Sequence, residues 1–294
     1  LERETAAPCL RSGTIFDVCN GLLMTAIFVI MVYPFLYVIN CAITAPSEVS
    51  GSLLLLPKGV NFDAYRVLLN DDKIVHAFLV SVARSLLGAG LMLMVTGMAA
   101  YVLATPDLIF GKFFRTAFVL TMYISAGVVP TYIFMKQYHL TNSFLVYILP
   151  TMCSVFNMIL IRNYIEGLGR SLQEAVFVDG GNDMHAFWLV IFPICKPVNA
   201  AILLFGILNQ WNSFMDTQMY CAMAEELHTL QYVLYNTLTT VSDIENLKTG
   251  GGAAVAPQSI KMAITVITVV PVMFVYPFLQ KHFVSGIMVG SVKA

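Results

Sequence analysis

The sequence predicts an all-α membrane protein with six transmembrane helices, and three observations predict it. Of 294 residues, 58% are hydrophobic and only 11% are charged, whereas soluble domains run near a quarter charged. Mean hydropathy is +0.78. Apolar runs close to the ~20 residues that a spanning helix needs recur along the chain. The net charge of −1 excludes a nucleic-acid partner, which needs a basic face. Cysteines at 9, 19, 41, 153, 195 and 221 show no C-x-x-C or zinc spacing and lie mostly in or beside apolar segments. They read as small packing residues rather than disulfides or metal ligands.

The elements follow in order. A polar N-terminus leads into an apolar run over 21–43, too long for the ~7–15 residues of a signal-peptide core and therefore an uncleaved first span. Because the chain opens on Leu1, its natural start is expected upstream. The remaining spans fall at 75–104, 113–135, 143–161, 186–210 and 260–279. Leu53 to Leu56 is too short to span and is expected at an interface. The second span holds Gly88, Gly90, Gly97, Ala99 and Ala100, small residues that let helices approach closely in lipid. Arg84 is its lone charge, which either snorkels or joins a structural pair.

Lys and Arg set the orientation. With the N-terminus inside, the inner segments carry Arg3, Arg11, Lys112, Arg115, Arg162, Arg170, Lys281 and Lys293. The outer segments carry Lys58, Arg66, Lys73, Lys136 and Lys248. Both termini and the loop 162–185 are then cytoplasmic. In the last outer loop, Leu227, Leu230, Leu234 and Leu238 recur at three- and four-residue steps, predicting a short amphipathic helix on the outer face. Residues 250–254 are a flexible linker. No internal repeat stands out, so 1–294 is read as one transmembrane domain ending in a tail, 280–294.

The most informative stretch is the polar island SLQEAVFVDGGNDMHAFWLVIFPICKP, residues 171–197. Ser171 and Glu174 have capping-box spacing, so a helix is expected from about Leu172. Gly180 or Gly181 can end it in a left-handed turn, and Asn182 or Asp183 can cap the next helix. Pro193 and Pro197 are expected to kink the start of the fifth span. The product is a helix, a tight turn and a helix projecting into water. An ordinary capped loop between two spans would share those features, but not the full spacing of Glu174, Ala175, Gly180 and Pro193.

That spacing resembles the coupling loop in membrane subunits of bacterial ABC importers, which reads E-A-A, three residues, G, nine residues, I, one residue, L, P. Val176, Val190 and Phe192 stand where that family has Ala, Ile and Leu, and Gly181 also stands where it favours Ala. Three further segments carry the resemblance. LLLLPKGVNFDAYRVLL looks like the P-x-G-x-x-x-x-x-Y segment of carbohydrate-type permeases. NQWNSFMD (209–216) resembles the W-N region ending their fifth helix. YPFLQKHFVSGIMVGSVKA (276–294) resembles the tail of their second permease subunit.

The resemblance implies a core of five helices plus an extra first helix, in a multi-pass protein of the bacterial cytoplasmic (inner) membrane. It implies four kinds of partner besides the bilayer: a second, homologous permease, a dimer of ATPase subunits, an extracytoplasmic solute-binding protein and an oligosaccharide, with uronate-oligosaccharide importers among the nearest subgroups. ATP and Mg would be bound by the ATPase, leaving this chain without a cofactor of its own. Glu174, Ala175, Asp179, Gly180, Gly181, Asn182 and Pro193 would form the ATPase-coupling loop. Ser285 and Gly286 would lie in a tail that inserts between the ATPase subunits.

For the sugar pathway, the amides of Asn157, Asn209, Gln210 and Asn212 with the indole of Trp211 offer hydrogen bonds and a flat apolar face, and Tyr123 is a further candidate. Each has a plain structural reading too: Trp211 as an interfacial belt residue, Asn157 as a bond between helices. The chain has no G-x-x-x-x-G-K-[ST] loop, so it does not bind ATP in the Walker manner. No H-E-x-x-H, G-x-S-x-G or intramembrane carboxylate pair suggests catalysis. The alternative, a self-sufficient secondary transporter of a small polar solute, calls for ion-coupling carboxylates or paired broken helices.

Overall fold

The computed structural model describes residues 10–44, 59–239 and 257–287. The interfacial leucines 53–56, the linker 250–254 and tail residues 288–294 lie outside them. Two compact units are present: Leu1–Leu68 with Ile244–Val266, and Leu69–Asp243 with Ile267–Ala294.

In the first unit, α1 (Leu10–Ile43) is long and apolar on every side, with Leu22, Phe28, Ile30 and Met31 all exposed. A helix apolar all round belongs in lipid. After it, Thr44 pairs with Val60 in a single antiparallel bridge. The Asn61 side chain then accepts from the Asp63 amide at 2.7 Å, starting α2 (Asp63–Leu69).

The second unit is organised on α3 (Asp72–Ala104), whose N-cap Asp71 accepts from the Lys73 amide. It buries Gly88, Ala89, Gly97 and Ala100; the small Gly88 and Ala89 give room to α11 (Lys196–Asn212), and Gly97 faces Phe187. At Gly88 the room is used fully: a Cβ there would lie 2.7 Å from Gln210 Nε2.

Two of the other expected spans are bent. α6 (Leu145–Ile148), a 3₁₀ turn (Leu149–Thr151) and α7 (Val155–Leu168) make one pair bent by 48°. The other pair is bent by 82° between Asp183–Ile194 and Lys196–Asn212, where the two prolines were expected to act. With the uninterrupted Phe16–Ile43, Asp72–Ala104 and Pro257–Val275, the described residues hold three apolar spans, or up to five if each bent pair is one. The last of these belongs to α14 (Pro257–Ile287).

The expected span 113–135 is not a single helix. It comprises α4 (Gly111–Thr121) and α5 (Val128–Gln137), separated by residues 122–127. Pro130 explains the restart, because a residue without an N–H fits only a helix's first turn. Gly127 supplies the preceding backbone at φ +81°.

The last loop also differs from expectation. α12 (Met215–Tyr220), a 3₁₀ turn (Glu225–Leu227) and α13 (Leu230–Thr239) fold against α3 instead of lying free on the outer face. Leu230 and Leu234 are buried. The Leu230 amide donates to Ser81 Oγ at 2.8 Å, and Tyr147 Oη donates to the Leu227 carbonyl at 2.8 Å. The leucine stripe is real, but protein covers Leu230 and Leu234, and Leu238 alone of the four stays exposed.

Candidate functional sites: a coupling loop and a polar cavity

The loop begins where Gly169 (φ +83°) ends α7. α8 (Ser171–Val178) follows at once. The expected Ser171–Glu174 capping box does not form. Arg170 already has helical dihedrals and no side chain caps the helix, so Ser171 lies inside the first turn. Arg170 is tied instead to Asp107 at 3.6 Å.

α8 is amphipathic in the ordinary sense of period 3.6. Leu172 and Val176 pack against the apolar core, while Glu174, Ala175, Phe177, Val178 and Asp179 are exposed. Val178 reaches 87% exposure, unusual for a large apolar side chain in a short polar loop.

The turn out of α8 is a Schellman motif. The Gly181 amide donates to Val176 O at 2.8 Å and the Gly180 amide to Phe177 O at 3.1 Å. Gly180 has φ +81°, which disfavours any residue with a Cβ. Gly181 faces Val176: a Cβ there would come within 2.5 Å of Val176 Cγ1 and 2.9 Å of its carbonyl oxygen. Two of the four departures from the importer pattern, Val176 and Gly181, thus fit each other, large against small.

Asn182 caps the next helix, α9 (Asp183–His185), in a complete capping box. Its Oδ1 accepts from the His185 amide at 3.0 Å, and His185 Nδ1 accepts from the Asn182 amide at 3.5 Å. A π-helical turn, Ala186–Ile191, carries the chain into α10 (Phe192–Ile194). There the Phe192 amide reaches back to Phe187 O, and Pro193 has no N–H to continue the ladder. Such π turns recur at functional sites.

The second site is a cavity of about 330 Å³ lined by α3, α7 and α11 and the turn before α7. Asn157, Asn209 and Gln210 line it, with Thr151, Ser154, Phe156 and Phe205. Asn157 Nδ2 contacts Met92 Sδ at 3.5 Å. Three of the six pathway candidates, Asn157, Asn209 and Gln210, are thus brought together, beside the rings of Phe156 and Phe205 instead of the Trp211 indole.

The other three lie elsewhere. Trp211 is buried, its Nε1 donating to Thr268 O at 3.0 Å and its ring edge-on to Phe78. It is a packing residue rather than a belt or cavity residue, because its ring is buried and its N–H is taken. Asn212 is exposed at the end of α11. Tyr123 is 82% exposed in the break between α4 and α5. Ser285 and Gly286 fall in the last turns of α14.

Sequence reasoning missed the polar hub beside the cavity. Arg84, only 1% exposed, ion-pairs with Asp216. Its Nε and Nη2 donate to Gln210 Oε1 at 3.0 and 2.8 Å. Nη1 donates to Asp216 Oδ1 at 3.2 Å and to Ser213 O at 3.4 Å, and Nη2 also donates to Asp216 Oδ2. All five guanidinium protons are thereby used. The group also sits 4.3 Å from the Tyr147 ring centroid. Gln210 is saturated as well, its Nε2 donating to Tyr147 O at 2.9 Å and Thr151 Oγ1 at 2.7 Å. The signal available in the sequence was Arg84 itself, since a charge inside a span demands partners.

Residues 102–289 match the family of the binding-protein-dependent transport system inner membrane component. The chain belongs to that family. It is an ABC importer permease and a multi-pass protein of the inner membrane. It is similar to Protein LplC of Bacillus subtilis (strain 168), 33% identical over 96% of each chain. It is also similar to that organism's polygalacturonan/rhamnogalacturonan transport system permease protein YtcP, 34% identical over 92% of this chain and 95% of that one. Among solved structures it resembles a chain of a bacterial ABC transporter involved in the import of the acidic polysaccharide alginate. That match has a TM-score of 0.86 and 28% identity, covering 96% of this chain and 100% of the other. These relatives give no support to a self-sufficient secondary transporter.

Proposed function

We propose that this permease forms half of the translocation pathway for an oligosaccharide and is driven by a separate ATPase dimer docked on 171–185. A second, homologous permease completes the pathway, and an extracytoplasmic binding protein delivers the sugar. ATP and Mg belong to the ATPase. The observation that carries this reading is the exposed apolar knob of Phe177 and Val178. It is held by a Schellman turn and a capping box between two spans. A stiff, solvent-facing apolar element is built for a protein partner, since patches of this kind mark interaction sites. Glu174 and Asp179 beside it are placed to pair with cations of that partner, and the end of α14, with Ser285 and Gly286, is its second contact.

The sugar is met by Asn157 and Asn209 in the cavity, where amides and aromatic rings suit hydroxyls and the apolar faces of pyranose rings; Gln210, whose own hydrogen bonds are all taken, shapes the wall. The break after α4 supports a pathway role for Tyr123. Non-helical backbone at membrane depth is tolerated only where protein or water covers it. Relatives named for polygalacturonan/rhamnogalacturonan transport and for import of the acidic polysaccharide alginate make a uronate-containing oligosaccharide the first substrate to try. Arg84 has no proton left for a sugar carboxylate, so a carboxylate would find its partner elsewhere.

The test is affinity purification of the full chain from its native membrane. A Walker-type ATPase and a second permease should come with it. Gly180→Pro should insert normally yet lose the ATPase, because Pro can adopt neither φ +81° nor the turn's hydrogen bond. Normal recovery of the ATPase with that variant overturns the docking reading.

A further inference from the structure

The loop 171–185 has two unlike halves. α8 and α9 each bury no residue fully; α8 meets the core only through the partly buried Leu172 and Val176, whereas the chain from Asp183 onward is also bonded to α3. Tyr101, 6% exposed near the end of α3, donates its hydroxyl to Asp183 Oδ1 at 3.1 Å. Its ring centroid lies 5.5 Å from that of Phe187, itself buried in the π-helical turn. One side chain thus holds the first residue of α9 by a charge-assisted bond and the following turn by packing.

The geometry points to Tyr101 as the positioning residue through which movement of the coupling loop is passed to α3. This rests on the reading that the loop docks an ATPase. Beside the partial packing of Leu172 and Val176, the other polar tie near the end of α3 is weak. Arg170 and Asp107 are 51% and 87% exposed at 3.6 Å, and exposed pairs contribute little and are screened by salt. α3 is also the helix that has something to deliver. It lines the cavity with Gly88, Ala89 and Met92 and carries Arg84 at the polar hub. Coupling needs a contiguous physical connection between two sites. Here it runs from the exposed knob through the Schellman turn to Asp183, then Tyr101, then along one helix to the cavity wall.

Tyr101→Phe separates this role from packing, because it keeps the ring against Phe187 and removes only the hydroxyl. The transporter is reconstituted in proteoliposomes with its sister permease, ATPase and binding protein, and sugar moved per ATP hydrolysed is measured. Tyr101→Phe should assemble in normal yield and hydrolyse ATP with an unchanged KM. Its sugar-per-ATP ratio should fall at least about fivefold, the low end of measurable coupling between sites. Asp183→Ala should copy it, while Asp183→Asn, which retains the acceptor oxygen, should restore most of the ratio. A wild-type ratio in an assembled Tyr101→Phe complex overturns this inference alone. Failure of the wild-type chain to hold the ATPase overturns the docking reading and this inference with it.

Discussion

The Arg84 end and the Tyr101 end of α3 are held by opposite kinds of chemistry. Around Arg84, three polar side chains and three carbonyl or hydroxyl acceptors close a buried network in which Arg84 and Gln210 have no bond left to make. Around Tyr101, one hydroxyl and one ring contact join α3 to a loop whose leading helix touches the core only through the partly buried Leu172 and Val176. A saturated buried network resists rearrangement, since every alternative leaves a polar group unpaired. A single bond at a half-exposed carboxylate changes partners at small cost. The difference teaches where a transporter keeps its frame and where it keeps its handle: the helix is clamped at the cavity and lightly held at the loop.

Removing Arg84 should therefore have the largest effect. Arg84→Ala leaves Asp216 and Gln210 without their partner in a buried site, and breaking such pairs costs about 3–5 kcal/mol. Thermal unfolding of the detergent-purified chain should show that loss. Arg84→Met combined with Asp216→Leu should recover much of it, because no uncompensated charge remains. Arg170→Ala, which breaks the exposed pair with Asp107, should shift stability by about 0–1 kcal/mol at most. Similar losses from Arg84→Ala and Arg170→Ala would break the contrast between the two ends.

The turn between α8 and α9 sharpens the contrast at the handle. Gly181→Ala drives a methyl to 2.5 Å from Val176 Cγ1 and 2.9 Å from Val176 O. Overpacking of this kind costs about 1–3 kcal/mol. Faster hydrogen exchange at residues 176–181 should report it. Adding Val176→Ala removes the methyl clash but not the carbonyl one, so protection should return in part. A double variant as unprotected as the single one would mean that Val176 and Gly181 do not compensate each other.

How legible all this was depended on the range of the interactions. The span 75–104 and the Gly180–Asn182 turn rest on local periodicity and local backbone chemistry, and both are in the structure. Ser171 failed as a cap for an equally local reason: Gly169 turns the chain straight into helix at Arg170. In 113–135 the apolar composition was right, yet Pro130 decided the backbone and composition is blind to position. Trp211 was misplaced because its acceptor, Thr268, lies 57 residues away. The Arg84 hub draws on Gln210 and Asp216, 126 and 132 residues along, and no spacing rule reaches that far. The loop 171–185 was therefore readable as a motif, while its attachment through Tyr101 was not.

The smallest effect is expected where the last loop meets the start of α3. Lys73 Nζ lies 2.8 Å from Glu225 Oε2, with both side chains exposed. The hydrogen bond from Lys73, reinforced by its charge, holds the Glu225 carboxyl below the usual carboxylate range. A carboxylate with a lowered folded pKa adds stability above its unfolded pKa and loses it as pH falls through the folded one. The contribution should thus be present at neutral pH and vanish on acidification below the ordinary glutamate range. Comparing melting temperatures of the wild type and Glu225→Gln across that window should give a small, salt-sensitive difference at pH 7 that closes in acid. A difference that widens on acidification, or survives high salt, would mean that this end of α3 is pinned as firmly as the Arg84 hub.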